Sequence, residues 1–222
     1  MPRDYVLPRF QAPAAPQIDY ARALNPQQFA AVTAMPGPSL VIAGAGAGKT
    51  RTLVYRVAFL IEQGIPPEAI LLLTFTNKAA REMMRRVCDL LENDLGGLWG
   101  GTFHSIGHRI LRRHADAIGL PPDFTILDRE DGADLIRACV GDARVAANQP
   151  LLPKADVLAE IFSLAANMQL GIPQILERHF PSFAGLAEAI CGLQTAYADR
   201  KRQAGAVDFD DLLVLWLGLL HK

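Results

Sequence analysis

The residues with the plainest chemical purpose form one run, Ala43-Gly44-Ala45-Gly46-Ala47-Gly48-Lys49-Thr50. Glycine at alternate positions keeps side chains out of the way, so successive backbone N–H groups can turn into one concavity and hold an anion. Lysine and a hydroxyl residue at the end of such a loop suit a polyphosphate. Lys49 would reach the β- and γ-phosphates, and the Thr50 hydroxyl would take one coordination position on Mg²⁺. The strict pattern opens with glycine where this chain has Ala43, and Gly44, Gly46 and Gly48 supply the freedom instead. Binding a nucleoside triphosphate follows from this run, but hydrolysing it does not. Hydrolysis needs an Asp to steady the metal and a carboxylate to orient water, at the end of another buried strand. The chain contains no Asp-Glu dipeptide. Phe124-Thr125-Ile126-Leu127-Asp128 imitates such a strand, yet the charged run Arg129-Glu130-Asp131 behind it marks Asp128 as a helix N-cap.

A phosphate loop is useful only between a strand and a helix. Ser39 to Ala43 is a short apolar run bounded by turn residues, as a buried parallel strand would be, and Leu53, Val54, Val57, Ala58 and Ile61 keep a helical period behind the loop. Gly64 and Pro66-Pro67 stop that helix. Ile70 to Phe75 reads as the next buried strand, and Ala80, Met83, Val87 and Leu90 or Leu91 as one side of the next helix, with Arg81, Arg85 and Arg86 elsewhere. A third strand lies near Leu98 to Phe103. Strand, helix, strand, helix with long crossovers predicts a parallel α/β sheet. Before the first strand, Asn25-Pro26 opens a short helix as cap and first residue. Residues 1–23, with prolines at 2, 8, 13 and 16, read as an extended arm.

Past residue 113 the texture turns helical. Apart from a short strand at 124–127, the spacing predicts helices over 129–140, about 154 to 169, and one capped by Ser182 that carries Phe183, Leu186, Ile190, Leu193 and Tyr197. Asp208 caps a last apolar helix, with Asp211 completing the cap. Charge follows the same division: residues 23–113 carry a net +4 and residues 114–222 a net −6, inside a total of −1. A polyanion would be held by the basic part. Cys88, Cys139 and Cys191 are an odd number with no CxxC pair, which excludes a disulfide framework and a zinc site and leaves reduced thiols on helices. No apolar run approaches the ~18–20 residues of a membrane span, so the expectation is a soluble, cytoplasmic protein with no membrane partner.

Five blocks occur in an order that resembles the UvrD/Rep/PcrA-type superfamily 1 DNA helicases. They are Leu24-Asn25-Pro26-Gln27-Gln28, Ala43 to Thr50 with Arg51, Leu73-Thr74-Phe75-Thr76-Asn77-Lys78-Ala79-Ala80-Arg81-Glu82-Met83, Gly101-Thr102-Phe103-His104-Ser105 and Asp208-Phe209-Asp210-Asp211-Leu212. The resemblance spans nearly the whole chain after residue 23. It implies an α/β fold of the P-loop NTPase type, a RecA-like parallel sheet with an inserted all-helical subdomain. Residues 24–113 would be the first part of motor domain 1A, 114–206 helical subdomain 1B, and 207–222 the return into 1A, ending before the Walker B strand.

The resemblance further implies ATP and Mg²⁺ as cofactors. Gln28 would read adenine, Ala43 to Lys49 would cradle the phosphates, Thr50 would bind Mg²⁺, Lys49 and Thr50 would act in catalysis, and Arg51 would lie near the nucleotide. Phe75, Thr76, Asn77, Thr102, Phe103 and His104 would contact single-stranded DNA. By position alone, Phe75 and Phe103 read equally well as core residues at strand ends, and His104 as an ordinary satisfied histidine. The implied protein is an ATP-dependent 3′–5′ helicase or translocase of DNA repair or replication, of which this chain is an N-terminal piece inactive by itself. The second motor domain, with its arginine fingers, would lie outside this chain. Two other classes use the same loop: a self-contained P-loop phosphotransferase and a nonhydrolysing nucleotide-binding module.

Overall fold

In the computed structural model, which describes residues 18–93, 95–147 and 152–221, the expected arm is helical at its end. Tyr20–Ala23 forms a single helical turn, α1, capped by Asp19, whose carboxylate accepts the Arg22 N–H at 3.1 Å. Tyr20 fixes this turn because its ring is buried between the edges of Tyr55 and Phe59, while its hydroxyl donates to Glu62 at 2.7 Å. Burial and the Glu62 carboxylate push the phenol pKa up, so the group stays a donor. Residues 1–17 of the arm lie outside the described residues.

The chain divides after Phe103 into two units. In the first, Pro26–Thr33 (α2) begins at Asn25 with a reciprocal capping box: the Asn25 side chain accepts the Gln28 N–H at 2.8 Å and Gln28 Oε1 accepts the Asn25 N–H at 3.3 Å. Lys49–Glu62 (α3) follows the glycine loop and presents Val54, Val57 and Ala58 to the core. Leu71–Thr74 (β1), Asn77–Leu91 (α4) and Trp99–Thr102 (β2) complete the unit, with β1 and β2 parallel in the register Leu71↔Trp99 to Thr74↔Thr102. Leu72, Met83, Val87 and Leu98 join Val54 and Val57 in one apolar cluster. Helix α4 lies directly on β2: a Cβ at Gly100 would come within 2.2 Å of Met84 Sδ and would displace that side chain.

One expected strand is absent. Residues 39–43 make no ladder, and Leu40 and Ile42 are 86% and 88% exposed. An apolar run becomes a strand only when a neighbour takes its N–H and C=O groups, and no described strand pairs with it.

The second unit is mostly helical. Phe103–Arg113 (α5) leads to Thr125–Ile126 (β3), Arg129–Ala147 (α6), Ala155–Met168 (α7), Ile172–His179 (α8), Ala187–Gln203 (α9), Ala206–Val207 (β4) and Phe209–Leu220 (α10). Asp128 caps α6 as expected, accepting the N–H groups of Glu130 and Asp131 at 2.8 and 2.9 Å. Three features depart from the sequence reading. Helix α8 was not anticipated, being only two turns long. Ser182 caps nothing: Pro181–Leu186 is a 3₁₀ stretch, and the helix starts at Ala187. Strand β4 is two residues long and pairs in parallel with β3, too short to leave a pattern. The core of this unit joins Ile136, Leu158, Ile161, Ile175, Leu176 and Ile190, all nearly inaccessible. The three cysteines are free thiols on α4, α6 and α9.

Candidate functional site

The glycine loop ends at Gly48, whose φ of +83° places it in the left-handed region at the N-cap of α3. No side chain caps that helix. The first N–H groups of a helix lack intrahelical acceptors, and here they are left for an external anion beside the positive end of the helix dipole. Lys49 Nζ donates to Ala43 O at 3.0 Å and Gly44 O at 2.8 Å, so the ammonium closes on its own loop. The loop from Gly44 to Ala47 is exposed, as are Lys49 and Thr50. Uncapped N–H groups, an exposed lysine and a hydroxyl in one open turn are the donor set a magnesium-bound triphosphate requires. Among the described residues no three His, Cys, Asp or Glu side chains gather to hold a metal by themselves.

Gln28 is brought to this loop: its Nε2 donates to Ala47 O at 3.1 Å while its Oε1 serves the α2 cap. A Cβ on Gly48 would sit 2.6 Å from that Nε2, so Gly48 is required by the Gln28 contact as well as by its own φ. Each Gln28 polar atom keeps one further hydrogen-bonding position. Arg51 points elsewhere. Its guanidinium donates to Ala23 O at 2.9 Å and to the Tyr55 hydroxyl at 3.2 Å, 4.9 Å above the Tyr55 ring.

At the C-terminal ends of β1 and β2, Phe75 and Phe103 form a ring pair with centroids 5.7 Å apart and planes at 39°. Phe75 is 89% exposed and Phe103 37%, so this pair is not core. Thr76 is the N-cap of α4, its Oγ1 accepting the Ala79 N–H at 3.2 Å, which leaves the hydroxyl hydrogen for another acceptor. Asn77 is exposed and Thr102 half-buried.

His104 belongs to the second unit, where its ring meets the edge of Phe209 at 5.8 Å. Phe209 is 52% exposed in the first turn of α10. The sequence reading took its block as a cap and passed it over; an aromatic between cap residues was the available signal. The cap itself is confirmed, with Asp208 accepting the Asp211 N–H at 2.9 Å and Asp211 the Asp208 N–H at 3.0 Å. Also unforeseen is Lys201, 7% exposed, which donates to both Asp208 and Asp211 and lies 4.5 Å from the Tyr197 ring centre. The Tyr197 hydroxyl donates to Asp208 at 3.0 Å. These groups wall a cleft of about 1200 Å³ with Asp128, Asp156 and Glu160 among its carboxylates. Seven carboxylates against Arg129, Lys201 and Arg202 leave this lining acidic, which disfavours a polyphosphate.

A glycine loop opening an uncapped helix, with lysine in the first turn and exposed aromatics at parallel strand ends, defines the class as a phosphate-loop protein of mixed α/β structure. The chain belongs to the UvrD/REP helicase N-terminal domain family, which it matches over residues 24–222. It is 37% identical over 201 residues to the ATP-dependent DNA helicase PcrA of Leuconostoc citreum, covering 90% of this chain and 26% of that protein. It is also 37% identical over 204 residues to DNA helicase II of Escherichia coli strain K12, with 89% and 27% covered. The identity to PcrA of Staphylococcus aureus strain Mu50 is 34% over 202 residues, with 90% and 27% covered. The chain therefore spans about a quarter of the length of the curated relatives it matches. These likenesses do not favour a self-contained phosphotransferase. Among the described residues no helix is long and apolar enough to cross a membrane.

Proposed function

We propose that this chain is the nucleotide-binding, DNA-gripping N-terminal part of an ATP-dependent motor. The motor moves 3′ to 5′ on single-stranded DNA and serves DNA repair or replication in the cytoplasm. The observation that carries the reading is the uncapped Lys49 loop in the same unit as the exposed Phe75–Phe103 pair. The loop and Lys49 hold the phosphates, Thr50 offers its hydroxyl to Mg²⁺, and Gln28 takes the adenine edge with its remaining hydrogen-bonding positions. Bound Mg²⁺ supplies charge neutralisation across the phosphate oxygens. Arg51, whose guanidinium is held by Ala23 and Tyr55, reaches the nucleotide only by releasing those two acceptors. Phe75 and Phe103 stack bases, while Thr76, Asn77, Thr102 and His104 bond the sugar-phosphate backbone, with the Phe209 ring beside His104.

The same reading assigns residues 24–113 to the first part of a RecA-like motor domain, 114–206 to an inserted helical subdomain and 207–222 to the return. It is supported by the packing of α10 on α5: a Cβ at Gly107 would stand 3.3 Å from both Leu212 O and the Trp216 ring, and Leu111, Phe124, Val207 and Leu212 share one cluster. On this reading the metal-steadying acid and the second motor domain belong to the rest of the protein.

Two measurements test this. In fluorescence anisotropy with an oligothymidylate, Phe75→Ala weakens binding roughly 5- to 150-fold, the loss of about 1–3 kcal/mol of base stacking. The purified 222-residue chain binds ATP but shows no DNA-stimulated phosphate release, because the sequence has no Asp-Glu pair to steady the metal and orient water. Turnover near that of a complete motor would refute the assignment.

A further inference from the structure

Lys78, Arg81 and Arg85 stand three and four residues apart on α4, so one face of the helix carries them in a row. All three are exposed, and none makes an ion pair or hydrogen bond with any described residue. Arg86, one position on, is instead paired with Glu82. The row also runs against its own helix. Cations belong at the C-terminal end of a helix dipole and acids at the N-terminal end, yet Lys78 lies in the first turn of α4, Asp89 lies in the last, and Glu92 follows as the C-cap. A local rule broken without internal compensation points to a ligand outside the chain.

The position of the row indicates which ligand. It starts three residues beyond Phe75, the most exposed large apolar side chain of this unit, and extends over roughly 10 Å at 1.5 Å per residue. An unwound strand spaces its phosphates more widely than the roughly 3.4 Å axial rise per strand of the duplex, so a row of that length faces about two to three of them. An aromatic platform leading into an unpaired line of cations is the arrangement that grips a strand by its bases and then by its backbone.

We propose that Lys78, Arg81 and Arg85 form a phosphate track along α4, holding the backbone of the same single strand whose bases stack on Phe75 and Phe103. The track rests on the single-strand reading above and extends it along the flank of the helix. Its contacts are to phosphate alone, so it adds affinity and salt sensitivity without sequence preference.

The test uses the 222-residue chain and a fluorescent oligothymidylate titrated at several NaCl concentrations. With Lys78→Gln, Arg81→Gln and Arg85→Gln combined, the slope of log K against log[NaCl] becomes shallower by about 1.4–2, since each of two to three single-strand phosphate contacts contributes about 0.7. Affinity at low salt falls at least tenfold. Phe75→Ala lowers affinity and leaves the slope in place, and Arg86→Gln changes neither. Glutamine is a good helix former and the variant removes cations from the positive end of α4, so its melting temperature stays level or rises, which separates lost binding from lost folding. An unchanged slope in the folded triple variant, with Phe75→Ala still weakening binding, overturns the track and leaves the single-strand reading standing. Absence of oligonucleotide binding by the native chain overturns both. An unchanged slope accompanied by lost binding to polyglutamate gives the row to an acidic protein and likewise overturns the proposal.

Discussion

Replacing Lys201 with methionine lowers the unfolding free energy of the second unit by about 3–5 kcal/mol, the cost of stripping the partner from a buried ion pair. Lys201 is almost inaccessible and is the shared cation of Asp208 and Asp211. Methionine fills the stem's volume, so the loss falls on the two stranded carboxylates. Its pH dependence is diagnostic. In the native protein burial opposes ionisation of Asp208, but the Lys201 ammonium, the Asp211 N–H and the Tyr197 hydroxyl outweigh it and hold the pKa below its ordinary 3.8. Stability from Asp208 is therefore complete above pH 3.8 and is lost as pH falls through the lower folded value. Asp211 shifts up, by burial and then by the Asp208 charge, so its contribution is complete below pH 3.8 and is lost as pH rises through the folded value. Without Lys201 both carboxyls shift up, and the variant gains stability between pH 7 and pH 4 where the native protein gains little. Urea unfolding followed by Trp216 fluorescence in a Trp99→Phe background reads the second unit alone, since the two tryptophans fall one in each unit. A variant whose midpoint moves less than that of a surface control such as Arg202→Met would show the network to be dispensable.

The second large effect is at the phosphate loop. Lys49→Ala weakens ATP binding by about 2–3 kcal/mol, roughly 30- to 150-fold, because hydrogen bonds to a charged partner contribute about 1.5–3 kcal/mol each. Adenosine, which has no phosphate for Lys49 to reach, binds both forms alike. Gln28→Ala behaves in the opposite sense: on the proposed reading its remaining hydrogen-bonding positions take the base, so it narrows the preference for ATP over GTP more than it weakens triphosphate binding. Calorimetry with ATP, GTP and adenosine on the native chain and these two variants separates the two roles. Equal ATP affinity in native and Lys49→Ala proteins would remove the lysine from the site.

Much of the local structure was legible in advance because it rests on chemistry a few residues wide. Asn25 with Gln28, Asp128 with Asp131 and Asp208 with Asp211 are caps whose donors and acceptors lie three positions apart, and a periodic apolar face marks α3, α4 and α7. The errors have one cause. At 39–43 the pattern for a buried strand is present, but a strand depends on a neighbour brought from far along the chain. Ser182 has the residue type of a cap, yet the backbone behind it turns as a 3₁₀ stretch. Strands β3 and β4 pair across some eighty residues, and neither is long enough to show alternation.

The sequence by itself determined the phosphate loop, the order of the elements around it and the residue types placed at the strand ends, since these depend on backbone freedom, helical period and side-chain chemistry. Tertiary structure alone decided that Phe75 and Phe103 stand in solvent as a pair instead of entering a core, and that Gln28 crosses to the loop at Ala47. It also decided that Lys201 is sealed between two carboxylates, and that Lys78, Arg81 and Arg85 are left without partners among the described residues. Exposure and pairing are properties of what folds back against a residue, and residues far apart in sequence settle that only when the chain has closed.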